Sequence, residues 1–128
     1  MKNSKIRFGV IGAGHIGTYH IQQLCKIPNV SFVGLFDINK QSAKKAALKN
    51  NLTAYTSLDS LLENCDAVSI ATPAVSHGPV ALSSLEAGCH VFIEKPLAST
   101  LKEAQQIIAL AKQTGCFLQV GHIERFNP

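Results

Sequence analysis

The stretch of sequence that most directly predicts the fold reads IRFGVIGAGHIG and spans residues 6–17. Its first half, residues 6–11, is a short and mostly apolar run, as expected of a strand buried in a sheet. Glycines follow at Gly12, Gly14 and Gly17, and a helical pattern then continues to about residue 26. The segment therefore predicts a strand, a tight glycine turn and a helix in immediate succession.

The spacing of these glycines is typical of a loop that binds the pyrophosphate of a dinucleotide. Gly12 permits the tight turn, Gly14 lets the backbone approach the phosphates, and Gly17 lets the helix pack close to the strand. The first turn of the helix, with His15 and Ile16, offers free backbone N–H groups and a partial positive charge. A GxGxxG motif alone is common, but its position between a strand and a helix supports dinucleotide binding.

The rest of the chain continues the alternation of strands and helices. Helices are predicted at residues 14–26, 43–48, 58–63, 76–86 and 100–114, and strands at residues 6–11, 30–36, 52–55, 66–71, 90–93 and 116–120. Asn39 is expected to cap the second of these helices and Thr100 the last, where Glu103 would complete a capping box. Apolar strands that alternate with helices predict a parallel sheet, here of about six strands, with helices on both faces. Right-handed crossovers make this α/β architecture a doubly wound Rossmann fold.

Asp37 lies at the end of the second predicted strand, twenty residues after Gly17. A carboxylate at this position accepts hydrogen bonds from the adenosine ribose and repels a 2′-phosphate. We therefore expect NAD as the cofactor and NADP to bind less well, with the nearby Lys40 weakening that preference.

Two further groups of residues are expected at the carboxyl ends of later strands, where open parallel sheets bind their ligands. Thr72 and Pro73 follow the fourth predicted strand, and Glu94, Lys95 and Pro96 follow the fifth. A lysine at this edge can exchange a proton with a substrate hydroxyl whose carbon exchanges hydride. We expect Glu94 to hold the Lys95 ammonium; from these residues alone, a salt bridge without function is the simpler alternative.

Together these motifs resemble the Gfo/Idh/MocA family, which includes glucose–fructose oxidoreductase and inositol dehydrogenase. The resemblance extends from about residue 6 to residue 128 and rests on GAGHIG with His20, ATP with His77, AGCHV at 87–91 and EKPLA at 94–98. The last segment, GHIERFNP at 121–128, is similar to the branch of UDP-N-acetylglucosamine-type 3-dehydrogenases, which oxidise nucleotide-linked sugars.

The resemblance implies the NAD-binding domain of an oxidoreductase that acts on a hydroxyl carbon of a sugar or nucleotide-sugar. It implies that Lys95 contacts the substrate and assists proton transfer, and that the Lys95–Pro96 peptide is cis. It further implies that Thr72, Pro73 and His77 line the cofactor near its ribose and nicotinamide. Glu94 and Lys95 are also expected near the cofactor, and the complete protein is expected to be a homo-oligomer.

The family's second domain, an α/β domain with a large open sheet, has no counterpart in these 128 residues. We therefore assign residues 1–121 to the dinucleotide-binding domain and residues 122–128 to the start of a connection. On its own, the chain should bind cofactor without turnover. His122 and Arg125, beyond the last predicted strand, are candidate substrate contacts, Arg125 for a phosphate or carboxylate.

Composition and spacing argue against several other classes of protein. The chain is 46% hydrophobic and 16% charged with a net charge of +4, which fits an ordinary globular domain better than a nucleic-acid-binding one. No apolar run reaches the roughly 18 residues that span a bilayer, and no signal peptide is recognisable, so a cytoplasmic location is expected. No CxxC pair or other ligand spacing predicts a metal site.

Two function classes remain open from the sequence. The first is a hydride-transferring enzyme, and the second is a non-catalytic module of the same fold that senses NAD(P) and regulates another protein. Lys95 favours the enzyme, because a sensor does not need a proton-transfer group.

Overall fold

The computed structural model describes residues 5–121, apart from the side chains of His15 and Ile16. Strands and helices alternate along these residues. The strands are β1 (Ile6–Ile11), β2 (Val30–Phe36), β3 (Ala67–Ile70), β4 (His90–Glu94) and β5 (Leu118–Gly121). The helices are α1 (His15–Leu24), α2 (Lys40–Asn50), α3 (Leu58–Glu63), α4 (Ala74–Glu86) and α5 (Leu101–Thr114).

All five strands pair in parallel, in the order β2-β1-β3-β4-β5. The chain moves from β1 to β2 on one side and then returns to add β3 on the other side of β1. The order of the strands therefore reverses between β1 and β3, and a crevice at such a reversal is where doubly wound sheets bind ligands. The predicted Rossmann fold is confirmed.

Helices cover both faces of the sheet and enclose two apolar cores. On one face, Ile21 of α1 and three alanines of α2 pack with Val10 and Leu35. On the other face, α3, α4 and α5 pack on β3 and β4 around a larger core. Every residue of β3 is buried, as expected of a central parallel strand covered on both sides.

The prediction of about six strands is wrong by one. Residues 52–55 form an isolated bridge between Ala54 and Leu35 and no strand. Two hydrogen bonds hold this bridge: Leu35 donates to the Thr53 carbonyl at 3.0 Å, and Tyr55 donates to the Leu35 carbonyl at 2.8 Å. Helix α3 begins three residues after Tyr55, so the chain leaves the edge of β2 before further pairing can form.

The predicted helix caps are confirmed, while some helix ends differ from the prediction. The Asn39 side chain accepts from the backbone of Ser42 at 3.0 Å, and the Thr100 hydroxyl accepts from Glu103 at 3.1 Å. Helix α1 ends two residues earlier than expected, and α4 begins two residues earlier. No helix among residues 5–121 is long and apolar enough to cross a membrane.

Candidate functional site

Four loops meet at the carboxyl edge of the sheet. The glycine loop follows β1, Asp37 follows β2, Thr72 and Pro73 follow β3, and Lys95 follows β4. Because all the strands are parallel, their carboxyl ends lie along one edge, as the sequence predicted. The candidate site is the crevice that these four loops surround.

Two of the three glycines are required by contacts inside the protein. A Cβ atom on Gly12 would lie 2.7 Å from the carbonyl oxygen of Ala71, and its φ of +105° also disfavours other residues. A Cβ atom on Gly17 would lie 1.8 Å from the carbonyl oxygen of Gly12. Both glycines therefore allow α1 and the β3–α4 loop to pack against the glycine turn.

Gly14 differs, because nothing in the described protein lies within 4 Å of the position that its Cβ would occupy. Its backbone is extended, with φ of −78° and ψ of −160°, a conformation that other residues also adopt. Gly14 is the N-cap of α1; it makes no side-chain capping hydrogen bond, and no acidic residue occupies the first helical turn. The start of α1 thus has no capping side chain among the described residues, and its first N–H groups have no partner within the helix, as a phosphate site requires.

Asp37 holds the glycine loop against the end of β2. One carboxylate oxygen accepts from the Ala13 backbone N–H at 2.6 Å, and the other accepts from the Asn39 N–H at 2.8 Å. Each carboxylate oxygen can accept a second hydrogen bond, so a ribose hydroxyl can still bind. Its contact with the loop through Ala13 was not predicted from the sequence.

A pocket of about 460 Å³ opens beside Asp37. Ile38, Lys40, Lys44 and Tyr55 are among its lining residues. The Ile38 side chain is 85% exposed, which places an apolar surface directly after the carboxylate. The two lysines give the same pocket positive charge, which bears on whether a 2′-phosphate is tolerated.

His77 is buried beneath the β3–α4 loop, with only 2% of the residue exposed. Its Nδ1 lies 2.7 Å from the carbonyl oxygen of Pro96, and its Nε2 lies 2.9 Å from the carbonyl oxygen of Thr72. A carbonyl only accepts and a neutral imidazole carries one N–H, so the neutral ring donates to one of the two carbonyls while its other nitrogen lies against the second. We call these two contacts the His77 link.

Glu94 is also buried, on the face of the sheet that α1 covers. Its carboxylate lies 3.2 Å from Nε2 of His20, and the other ring nitrogen of His20 contacts the hydroxyl of Ser69. Within residues 5–121 Glu94 forms no ion pair with Lys95. The expectation that Glu94 holds the Lys95 ammonium is therefore wrong, because consecutive residues leaving a strand point to different sides.

Burial lowers the pKa of His20 below its ordinary value, although the adjacent Glu94 carboxylate opposes that shift. The neutral ring then donates from Nε2 to Glu94 and accepts the Ser69 hydroxyl at Nδ1. These contacts tie α1 to β3 and β4 directly behind the site.

Lys95 is exposed at the carboxyl edge, where its backbone N–H donates to the Gly121 carbonyl at 3.2 Å. The Lys95–Pro96 peptide is cis, as the resemblance implied. Thr72 is half-buried, and its hydroxyl lies 3.5 Å from the Pro73 carbonyl, a weak contact. The predicted residues Thr72, Pro73 and Lys95 thus lie along the same rim.

Some predicted residues cannot be compared with the structure. His122 and Arg125 lie outside the described residues, as do the side chains of His15 and Ile16. Within residues 5–121, no group of three or more His, Cys, Asp and Glu side chains is arranged to hold a metal ion.

This fold and this edge define a dinucleotide-binding Rossmann domain. The Gfo/Idh/MocA family model, described as an oxidoreductase family with an NAD-binding Rossmann fold, matches residues 6–122. The chain therefore belongs to this oxidoreductase family.

Several characterised relatives and solved structures are similar to the chain. UDP-N-acetylglucosamine 3-dehydrogenase of Acidithiobacillus ferrooxidans is 40% identical over 96% of this chain and 39% of its own length. A structure of that enzyme superposes with a TM-score of 0.90, covering 97% of this chain and 40% of that one. The scyllo-inositol 2-dehydrogenase (NAD(+)) of Bacillus subtilis is 33% identical over 97% of this chain and 37% of its own length.

One similar structure was solved with a dinucleotide. GenD2 from gentamicin A biosynthesis, in complex with NAD, is 30% identical with a TM-score of 0.87, covering 92% of this chain and 34% of that one. The chain spans 34% to 40% of the length of these relatives.

Proposed function

We propose that this domain binds NAD(H) in preference to NADP(H) and forms the dinucleotide-binding part of a sugar or nucleotide-sugar oxidoreductase. The observation that carries the proposal is the contrast among the three glycines. Gly12 and Gly17 are required by close protein contacts, whereas the Cβ direction of Gly14 is open. A glycine that no protein contact requires, at the uncapped N-terminus of α1, is accounted for by a ligand phosphate.

The adenosine end of the cofactor fits the residues that follow β2. The Asp37 carboxylate would accept from the ribose hydroxyls while its contact with Ala13 keeps the glycine loop in place. The exposed side chain of Ile38 offers an apolar surface for the adenine. The negative charge of Asp37 opposes a 2′-phosphate, while Lys40 and Lys44 in the same pocket reduce that opposition.

Lys95 is the residue best placed to move a proton at this edge. Nicotinamide, when bound, supplies or accepts the hydride of the reaction. The exposed amine of Lys95 would take the proton from a substrate hydroxyl during oxidation and return it during reduction. The buried Glu94, His20 and Ser69 would stabilise the end of β4 from which Lys95 projects.

The proposed substrate class rests on the relatives. The chain shares 40% identity with a dehydrogenase of UDP-N-acetylglucosamine, and 33% with one of scyllo-inositol. His122 and Arg125 remain proposed substrate contacts, Arg125 for a phosphate of a nucleotide-sugar. A cytoplasmic location and a homo-oligomeric complete protein remain predictions.

The proposal is tested by calorimetric titration of the 128-residue chain with NADH and NADPH. Tighter binding of NADH supports it, and equal or tighter binding of NADPH contradicts the stated preference. Turnover is then followed as NADH absorbance with NAD and a panel of sugars and nucleotide-sugars, for this chain and for a form extended by the downstream coding sequence. Binding by both forms with turnover only by the extended one is expected, since a second domain must complete the pocket. Binding without turnover in either form would favour the sensing module instead.

A further inference from the structure

The His77 link connects two loops that the proposed site uses for different purposes. Thr72 belongs to the β3–α4 loop, expected to line the cofactor, and Pro96 belongs to the turn that carries Lys95. Residues Thr72 and Pro96 are 24 positions apart in the chain, and the imidazole of His77 lies between their carbonyl oxygens.

Burial argues that the link is the main role of this side chain. At 2% exposure His77 has little surface left for a cofactor, and both of its ring nitrogens already face carbonyl oxygens. A buried polar ring is tolerated because hydrogen bonds replace those lost with water. The expectation that His77 contacts the cofactor directly therefore gives way to an indirect role.

Neighbouring contacts hold the same two segments together. The Ser99 hydroxyl donates to the Ala74 carbonyl at 3.3 Å, which joins the start of α4 to the segment after Pro96. A Cβ atom on Gly78 would lie 2.4 Å from the Glu103 carboxylate, so α4 and α5 approach closely just after His77. The link is thus built into a packed junction, and its geometry is fixed on both sides.

We propose that His77 is a positioning residue that fixes the cofactor-lining loop at Thr72 relative to the turn that carries Lys95. The nicotinamide half of the cofactor and the lysine side chain are thereby held at a fixed position relative to each other. This inference rests on the proposed function. It predicts that loss of the link affects the nicotinamide half of the dinucleotide and spares the adenosine and pyrophosphate half, which Gly14 and Asp37 bind.

The test compares the affinities of NADH and ADP-ribose for the chain and its variants, because ADP-ribose lacks the nicotinamide. His77→Ala should weaken NADH binding by about tenfold, as expected for the loss of hydrogen bonds to buried carbonyls, and leave ADP-ribose binding within about twofold. His77→Gln keeps one donor and should restore part of the NADH affinity. A general loss of structure would weaken both ligands equally, and that result would overturn the inference.

His90 provides a matched control. It is partly buried, and its Nδ1 accepts the Phe117 backbone N–H at 2.9 Å, but it lies at the start of β4, at the opposite edge of the sheet. His90→Gln should change neither affinity. Should His77→Ala fail to fold, the ratio of the NADH dissociation constant to the ADP-ribose dissociation constant is measured on His77→Gln alone. A ratio equal to that of the wild-type chain would overturn the inference.

The wild-type chain supplies an independent measurement. A ring N–H of His77 that exchanges slowly with water in nitrogen-edited NMR spectra supports the link, and exchange as fast as that of free imidazole overturns it. Failure of the wild-type chain to bind either ligand would contradict the proposed function itself, and is thereby distinguished from a fault in the role given to His77.

Discussion

Replacing Gly14 with valine separates binding from folding more cleanly than any other substitution in the glycine loop. The backbone of Gly14 is extended and no described protein atom lies within 4 Å of its Cβ position, so the Cβ of a valine meets no described atom. We expect the free energy of unfolding to change by less than about 1 kcal/mol. The same side chain projects into the space proposed for the pyrophosphate.

The effect on binding follows from the hydrogen bonds that the valine blocks. A charge-assisted hydrogen bond from a backbone N–H to a phosphate contributes about 1.5–3 kcal/mol, so the loss of one weakens NADH binding by about 10- to 150-fold. Calorimetric titration measures this loss, and thermal unfolding followed by circular dichroism checks the fold. A folded Gly14→Val variant with wild-type affinity for NADH would refute the assignment of this loop.

Gly17 supplies the contrasting control, since its Cβ would lie 1.8 Å from the Gly12 carbonyl oxygen. Gly17→Ala should therefore destabilise the fold by about 1–3 kcal/mol or more, as overpacked sites do. If both variants lowered stability equally, the distinction drawn between the two glycines would be incorrect.

Three further predictions concern Asp37, His20 and Lys95. Asp37→Asn removes the charge that opposes a 2′-phosphate, so the ratio of the NADPH to the NADH dissociation constant should fall by about tenfold in paired titrations. An unchanged ratio would contradict the role of Asp37 in selecting NAD over NADP. Because burial lowers the pKa of His20, the unfolded chain takes up a proton that the folded chain resists. The free energy of unfolding should thus fall as the pH drops below about 6.5. In urea unfolding between pH 7 and about pH 5.5, His20→Gln should make this fall smaller. An equal pH dependence of the free energy of unfolding in both proteins would contradict this role of His20. Lys95→Ala in the extended protein should lower kcat by about 10²- to 10⁴-fold and NADH affinity by less than tenfold, and retained turnover would exclude Lys95 as the proton-transfer residue.

The sequence predicts the fold well because its signals are local. Glycine spacing, apolar strands and the caps at Asn39 and Thr100 each act over a few residues, and the structure confirms both caps and five of the six predicted strands. Residues 52–55 have the composition of a strand, yet only Ala54 pairs with Leu35. Whether a short segment continues along a sheet edge depends on where the next helix begins, which composition does not determine.

The site was predicted at the level of loops and less well at the level of side-chain partners. The motifs identify Asp37, Glu94 and His77 as site residues, but their hydrogen-bond partners are known only from the structure. Asp37 accepts from the Ala13 N–H, Glu94 contacts the His20 ring, and His77 contacts two backbone carbonyls. Adjacency in sequence suggested an ion pair between Glu94 and Lys95. The pair does not form because consecutive side chains at the end of a strand point to opposite faces of the sheet. Such long-range partners depend on how helices cross the sheet.

The most direct test of the central claim is an NMR map of the 15N-labelled chain titrated with NADH. We expect the backbone amide signals of the glycine loop, Asp37, Thr72 and Lys95 to shift, since these residues lie along the carboxyl edge. The amides of Asp66 and Phe117, at the opposite edge, should remain unchanged and serve as internal controls. Shifts concentrated at the opposite edge, or no shifts at saturating NADH, would contradict the claim that this edge binds a nicotinamide dinucleotide.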